Sequence, residues 1–223
     1  MTDKSERKRK DGMKIAFVHH KGGSGKTTSC INVAGYLALW GKRVLVLDLD
    51  PQGNATSGLG IDKNLLSQDG IRGSIVETKS GAHIAWFPYK PQTLDGVEEH
   101  YDYILIDPPP GDGIIPALKL VNFAIIPLDG LFALEGLSNL SKTLKNLNRN
   151  GGEVEPRMAL MNKVRLMGSW AAGVQMEGLS GYTIPLSGKV HQSQVKGMPL
   201  SHFAPRSGVG RAYRRVALEI ARW

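Results

Sequence analysis

Little in this chain would cross-link it or anchor it in lipid. Among 223 residues there is one cysteine, Cys30, so no intrachain disulfide can form. No apolar run reaches the roughly eighteen residues that a membrane-spanning helix needs. The first ten residues are charged and polar, without the apolar core of a secretory signal. Acidic side chains are scarce toward the C-terminus. From Arg157 to Trp223 only Glu177 and Glu219 stand against ten lysines and arginines, while the whole chain carries a formal charge of +8. A solvated face mixes its signs, and this region does not. It has the cationic footprint of a polyanion-binding surface, with duplex DNA the favoured partner. No base-reading module is evident, so the binding is expected to ignore DNA sequence.

Against these absences stands Lys21-Gly22-Gly23-Ser24-Gly25-Lys26-Thr27-Thr28, directly after the apolar run Ile15-Ala16-Phe17-Val18. Strand, glycine-rich turn and helix form the phosphate-holding unit of nucleotide-binding proteins. Backbone N–H groups close around the phosphate oxygens, and the helix N-terminus adds positive charge. Lys26 is expected to reach the β- and γ-phosphates, and the Thr27 hydroxyl to ligate Mg²⁺. The common pattern has glycine where this chain has His20, and a second lysine, Lys21, heads the loop. The pair His19-His20 makes no metal site, because neighbouring side chains on a strand point to opposite faces.

Two further apolar runs, Val44–Leu47 and Tyr103–Ile106, end in Asp48-Leu49-Asp50-Pro51 and Asp107-Pro108-Pro109-Pro110. Continuous runs with acids only at their C-terminal ends read as central strands of a parallel sheet. Ligands of open α/β sheets lie beyond those ends, so Asp48, Asp50 and Asp107 are expected to converge on the phosphate loop. Asp107 reads as the carboxylate that holds the Mg²⁺ hydration shell.

Strands are expected at 14–19, 43–48, 83–87, 103–106, 123–127, 157–161 and 182–184. Helices are expected at 26–40, 113–120, 133–148, 168–178 and 209–222. The alternation predicts a doubly wound, mainly parallel α/β sheet flanked by helices. At this length it makes one P-loop domain over residues 13–223, preceded by a disordered basic arm over 1–12.

The motifs K-G-G-S-G-K-T-T, D-L-D-P-Q-G-N-A-T-S-G-L-G and Y-I-L-I-D-P-P-P-G, in this order, resemble the ParA/Soj branch of the ParA–MinD ATPases, with the deviant Walker A loop. Phe132 to Leu137 and the tail from Thr183 to Tyr213 are similar to that branch as well. The resemblance implies an ATP- and Mg²⁺-dependent hydrolase that dimerises face to face. Lys21 matches the signature lysine that reaches the partner's phosphates, in the manner of an arginine finger. Asp50 matches the carboxylate that orients the attacking water, Asp48 the acid supporting the metal and the first switch segment, and Gln52 to Thr56 that segment. The nucleotide-binding set is then Gly22, Gly23, Ser24, Gly25, Lys26, Thr27 and Thr28, with Pro185 and Asn162 near adenine. Asn162 resembles the adenine-contacting asparagine of MinD-like members more than the usual ParA-like sequence. The metal set is Thr27, Asp48 and Asp107.

For DNA, the resemblance points to Lys189, where the family often has arginine, and to the cluster Arg206, Arg211, Arg214 and Arg215. It implies a cytoplasmic, nucleoid-associated homodimer, a ParB-like partner that stimulates hydrolysis, and a role in plasmid or chromosome partition or cargo positioning. One cysteine per protomer does not suit the relatives that carry iron–sulfur or zinc at the dimer seam. The rival reading is a MinD-like membrane-surface ATPase. Tyr213, Val216, Ile220 and Trp223 recur at helical spacing among arginines, as in a basic amphipathic anchor. A metabolic P-loop enzyme is a third reading, though no substrate-selective polar group can be named for it. The stretch between Asp62 and Glu99 is shorter than in ParA-like sequences and carries no assigned role.

Overall fold

The computed structural model describes residues 12–67, 69–88, 91–94, 96–129, 133–165 and 179–223, with the backbone alone for 133–136. The expected arm (Gly12 apart) and the helix expected at 168–178 lie outside these residues. Strands are β1 (Met13–Phe17), β2 (Val44–Asp48), β3 (Val76–Glu77), β4 (His83–Trp86), β5 (Tyr103–Asp107), β6 (Phe123–Asp129), β7 (Glu155–Val164) and β8 (Ser180–Pro185). Helices are α1 (Lys26–Leu39), α2 (Asn54–Gly58), α3 (Gly70–Gly73), α4 (Ile114–Leu118), α5 (Ala133–Arg149), α6 (Gly188–Val195), α7 (Leu200–Phe203) and α8 (Gly208–Ile220).

The strands form one eight-stranded sheet in the order β3-β4-β2-β5-β1-β6-β7-β8. Every pairing is parallel except the short β3–β4 pair at the edge. Alternation along β1 explains the two cores. Ile15 and Phe17 pack on the side of α1 and α8, while Ala16 and Val18 face the opposite layer, which includes α4 and α5. From β1 the chain moves outward to β2, returns through β5, and then crosses to β6 on the other side of β1. The reversal opens a crevice at the C-terminal end of β1, where ligands of this architecture bind.

The α/β expectation holds, and the long elements fall close to their expected bounds. Missing from it were α2, α3, α6, α7 and β3, which are short and take their shape from tertiary contacts rather than from apolar period. No helix among the described residues is long and apolar enough to cross a membrane.

The last helix tests the membrane reading. Tyr213, Val216 and Ile220 are at most 1% exposed, packed against α1 and the sheet. The Tyr36 hydroxyl donates to the Gly210 carbonyl at 2.9 Å, and Tyr213 and Ser29 share a hydroxyl contact at 3.4 Å. Trp223 lies 5.9 Å from the Phe123 ring, with the Arg157 guanidinium over both. An amphipathic anchor needs its apolar stripe free for lipid, and this stripe is part of the core.

Candidate functional site

The phosphate loop spans the end of β1 and the start of α1. Gly23 and Gly25 take left-handed backbone angles, φ 75 and 100, which strain any other residue. A Cβ on Gly25 would also collide with the Asn162 amide, so this close approach requires glycine. Asn162, buried at the end of β7, donates from Nδ2 to the Ser24 carbonyl at 2.8 Å, while its Oδ1 has no partner. The Ser24 hydroxyl is likewise buried without a partner and turned into the protein.

Lys26 is buried, and its ammonium makes one long contact, 3.5 Å, to the Lys21 carbonyl. Burial lowers its pKa, and the nearby charges of Asp107 and Asp50 pull it back up. Lys21 is different: its side chain is exposed, and it does not line the cleft that Lys26 lines. His19 accepts the Lys21 backbone N–H on Nδ1 at 3.0 Å. Burial, then the Lys26 charge, lowers the His19 pKa and favours the neutral ring that this bond requires. His20 points elsewhere, contacting the Thr143 hydroxyl of α5 at 3.2 Å.

The three acids meet at the ends of β2 and β5. Asp48 Oδ2 accepts the Thr56 backbone N–H at 2.9 Å and its hydroxyl at 2.8 Å, and Oδ1 accepts the Asp50 N–H at 3.1 Å. Burial raises its pKa to about 6 despite these donors. Neither oxygen of Asp107 has a hydrogen-bond partner of good geometry. Burial, then the Asp48 charge, pushes its pKa well up, while the Thr27 hydroxyl and Lys26 favour its ionised form. Asp50 is half-buried at the cleft, its Oδ1 accepting the Gln52 N–H at 2.9 Å.

A cleft of about 850 Å³ runs over Gly22, Gly23, Gly25, Lys26, Thr27 and Thr28 to Asp50 and the Pro51–Asn54 loop. Beside it lies a smaller pocket of about 270 Å³ bounded by Gly25, Thr28, Asn162, Pro185, Gln194 and Tyr213. The fold thus brings the loop and Asp50 around the cleft and Asn162 and Pro185 around the pocket beside it. The two share Gly25, Thr28 and Gln194, while Asp48 and Asp107 line neither. Lys163 and Gln194 were missed by sequence reasoning. Lys163, at φ 57, bonds the Gly23 carbonyl at 2.9 Å and Asp129 at 2.6 Å. Gln194 on α6 donates to the Thr28 hydroxyl at 3.2 Å. Lys163 had a findable signal, a charged residue ending a strand beside Asn162. Gln194 had none, since α6 itself was unread.

The basic candidates lie elsewhere. Lys189 is exposed on α6, its ammonium 3.2 Å from Gln192 Oε1. Arg211, Arg214 and Arg215 are exposed on α8, and Arg206 just precedes it, its carbonyl held by the Arg211 guanidinium. Among the described residues, no acidic side chain forms an ion pair with any of these four arginines.

Comparison with known proteins agrees with this architecture. The family model described as an AAA domain matches residues 12–86 and 88–158. The chain is 33% identical over 248 aligned residues to the chromosome-partitioning ATPase Soj of Treponema pallidum, covering 94% of this chain and 97% of that protein. It is also 33% identical to the sporulation initiation inhibitor protein Soj of Bacillus subtilis, covering 94% and 98%. Among solved structures, the septum site-determining protein MinD of Pyrococcus horikoshii, complexed with Mg-ADP, superposes with a TM-score of 0.80 at 22% identity, over 94% of this chain and 96% of that one. Cobyrinic acid a,c-diamide synthase of Mycobacterium smegmatis gives 0.72 at 21% identity, over 95% of each chain. These two likenesses speak for the fold. The family match over more than half the chain, and the Soj relatives matched along nearly their whole length, show that this chain belongs to the ParA/Soj family of ATPases.

Proposed function

We propose that the protein is a Mg²⁺-dependent ATP-hydrolysing switch that closes as a dimer on ATP and then binds DNA without regard to sequence. The observation that carries the reading is the division of labour between two lysines on one loop. Lys26 lines its own cleft, and Lys21 stands exposed outside it. A cation so placed serves a second protomer's phosphates better than its own, as charge delivered in trans to the transferring phosphoryl group.

Within the cleft, the loop N–H groups and Lys26 would hold the phosphates. The buried Asp107 carboxylate, with no hydrogen bond of good geometry and the Thr27 hydroxyl beside it, suits a hydrated Mg²⁺. That ion would neutralise phosphate charge when bound. Among the described residues no three His, Cys, Asp or Glu side chains form a metal cage, so the ion's other ligands would be Thr27, water and phosphate oxygens. Asp48 would hold the switch loop through Thr56, and Asp50 would orient the attacking water. The smaller pocket would take the base, with Asn162 and Pro185 on its wall.

Closing the dimer would set two arginine-rich α8 surfaces side by side, doubling the phosphate contacts available to one duplex. Hydrolysis, stimulated by a ParB-like protein, would release it. The chromosome-partitioning name of its relative supports a role in DNA partition, and the protein would act in the cytoplasm on the nucleoid, in partition or cargo positioning.

The test is duplex-DNA binding without nucleotide, with ADP, with ATP, and with ATP on Asp50→Ala, at two salt concentrations, alongside anionic vesicles. Salt-sensitive DNA binding that appears with ATP and persists longer in Asp50→Ala is expected. DNA binding indifferent to nucleotide, or ATP-dependent adhesion to vesicles instead, would overturn the reading.

A further inference from the structure

Two side chains from the stretch without an assigned role grip the loop that carries Asp50. Trp86, at the end of β4, donates its indole N–H to the Asp50 carbonyl at 2.8 Å. Lys63 opens a short 3₁₀ turn whose cap, Asp62, accepts the Asn64 N–H at 3.0 Å. Its ammonium donates to the Pro51 carbonyl at 2.8 Å and the Gln52 carbonyl at 3.0 Å, and sits 5.0 Å from the Trp86 ring centroid. Three successive carbonyls are thus held by two side chains stacked on each other. Gly53 makes room for the grip: at φ 67, a Cβ there would meet Lys63 Cδ at 2.6 Å. Asp48 holds the same loop from within, accepting the Asp50 N–H.

We propose that Lys63 and Trp86 are positioning residues for hydrolysis, a clamp that fixes the 50–53 loop and so aims the Asp50 carboxylate into the cleft. This rests on the reading of Asp50 as the residue that orients the attacking water. Neither clamp residue lines the cleft, so loss of the clamp slows turnover without weakening nucleotide binding. Charge-assisted bonds to carbonyls are the stronger kind, and the ring beneath the ammonium favours it further.

The experiment compares full-length Lys63→Met, Lys63→Arg, Trp86→Phe and Asp50→Asn by steady-state ATPase kinetics, thermal melting and amide exchange of residues 50–54. Lys63→Met is expected to lower kcat about tenfold with KM held within about twofold, and to speed loop exchange to a similar degree. Lys63→Arg should restore most of both. Trp86→Phe, which keeps the ring and loses the N–H, should show a smaller fall in kcat. Wild-type kcat in Lys63→Met and Trp86→Phe, with Asp50→Asn inactive, would overturn the clamp and leave the Asp50 reading standing. An active Asp50→Asn would instead remove the Asp50 reading and with it the catalytic purpose of the clamp. Should Lys63→Met melt early, the Lys63→Arg and Trp86→Phe pair decides, since both retain the packing.

Discussion

Asp48 and Asp107 face each other in register on adjacent parallel strands, both fully buried, and only Asp48 has side-chain hydrogen bonds of good geometry. Two carboxylates so close cannot both hold a charge cheaply in a dry interior. Asp48 is committed to Thr56, and on the proposed reading Asp107 would keep its lone pairs for the cation.

The first prediction follows from that pair. Burial raises both carboxyls, Asp48 to about 6, and the Asp48 charge adds to the upward push on Asp107. Between the ordinary carboxylate value and the raised one, the folded state binds more protons than the unfolded state. The pair's contribution to stability is therefore greatest below pH about 4 and is lost as pH rises through the folded values. Asp107→Asn removes one of the two charges. Its stability relative to the parent, measured by urea unfolding without nucleotide, should improve as pH rises above the ordinary carboxylate range. A difference that does not change with pH would contradict this.

Lys26→Met should separate binding from folding. The buried ammonium is desolvated and poorly bonded without nucleotide, so a Met of similar length keeps or raises the melting temperature. Loss of a charge-assisted bond costs about 2 kcal/mol, so ATP affinity by calorimetry should fall at least about tenfold. Retained affinity would remove Lys26 from the phosphate site.

On α8, Arg211→Glu, Arg214→Glu and Arg215→Glu should each weaken ATP-dependent DNA binding. Each DNA phosphate that a variant no longer neutralises should flatten the slope of log K against log salt by about 1. Variants with unchanged slopes would move the DNA surface to Lys189 and its neighbours.

Ile220→Asp addresses the apolar face of the same helix. Burying a carboxylate where the chain packs at 0% exposure should cost about 3 kcal/mol or more in unfolding free energy. Unchanged stability in this variant, with adhesion to anionic vesicles abolished, would revive the membrane reading.

How far the sequence alone could be read follows contact range. Val44–Leu47 and Tyr103–Ile106 announce central strands because every residue is apolar and each run ends in an acid. The phosphate loop announces itself because its glycines are required by backbone geometry within a few residues. By contrast, Asn162 meets Ser24 across 138 residues and Trp86 meets Asp50 across 36, and no local pattern encodes such meetings. Asn162 reads from sequence as an adenine contact or a strand-end turn residue, and the structure adds a bond from its amide to the Ser24 carbonyl. The arginines of α8 were visible as charge. That their opposite face is core needed the fold.

The most direct test of the closed dimer is to mix two inactive variants, Lys21→Ala and Asp50→Asn, and measure ATP hydrolysis. In the mixed dimer, the Lys21→Ala protomer keeps its own Asp50 and receives Lys21 from its partner, so one site is whole. Equal pools pairing at random in a two-fold dimer should recover about a quarter of parental turnover. If the mixture stays as inactive as its components, Lys21 does not act across a dimer, and the account of the switch fails at its centre.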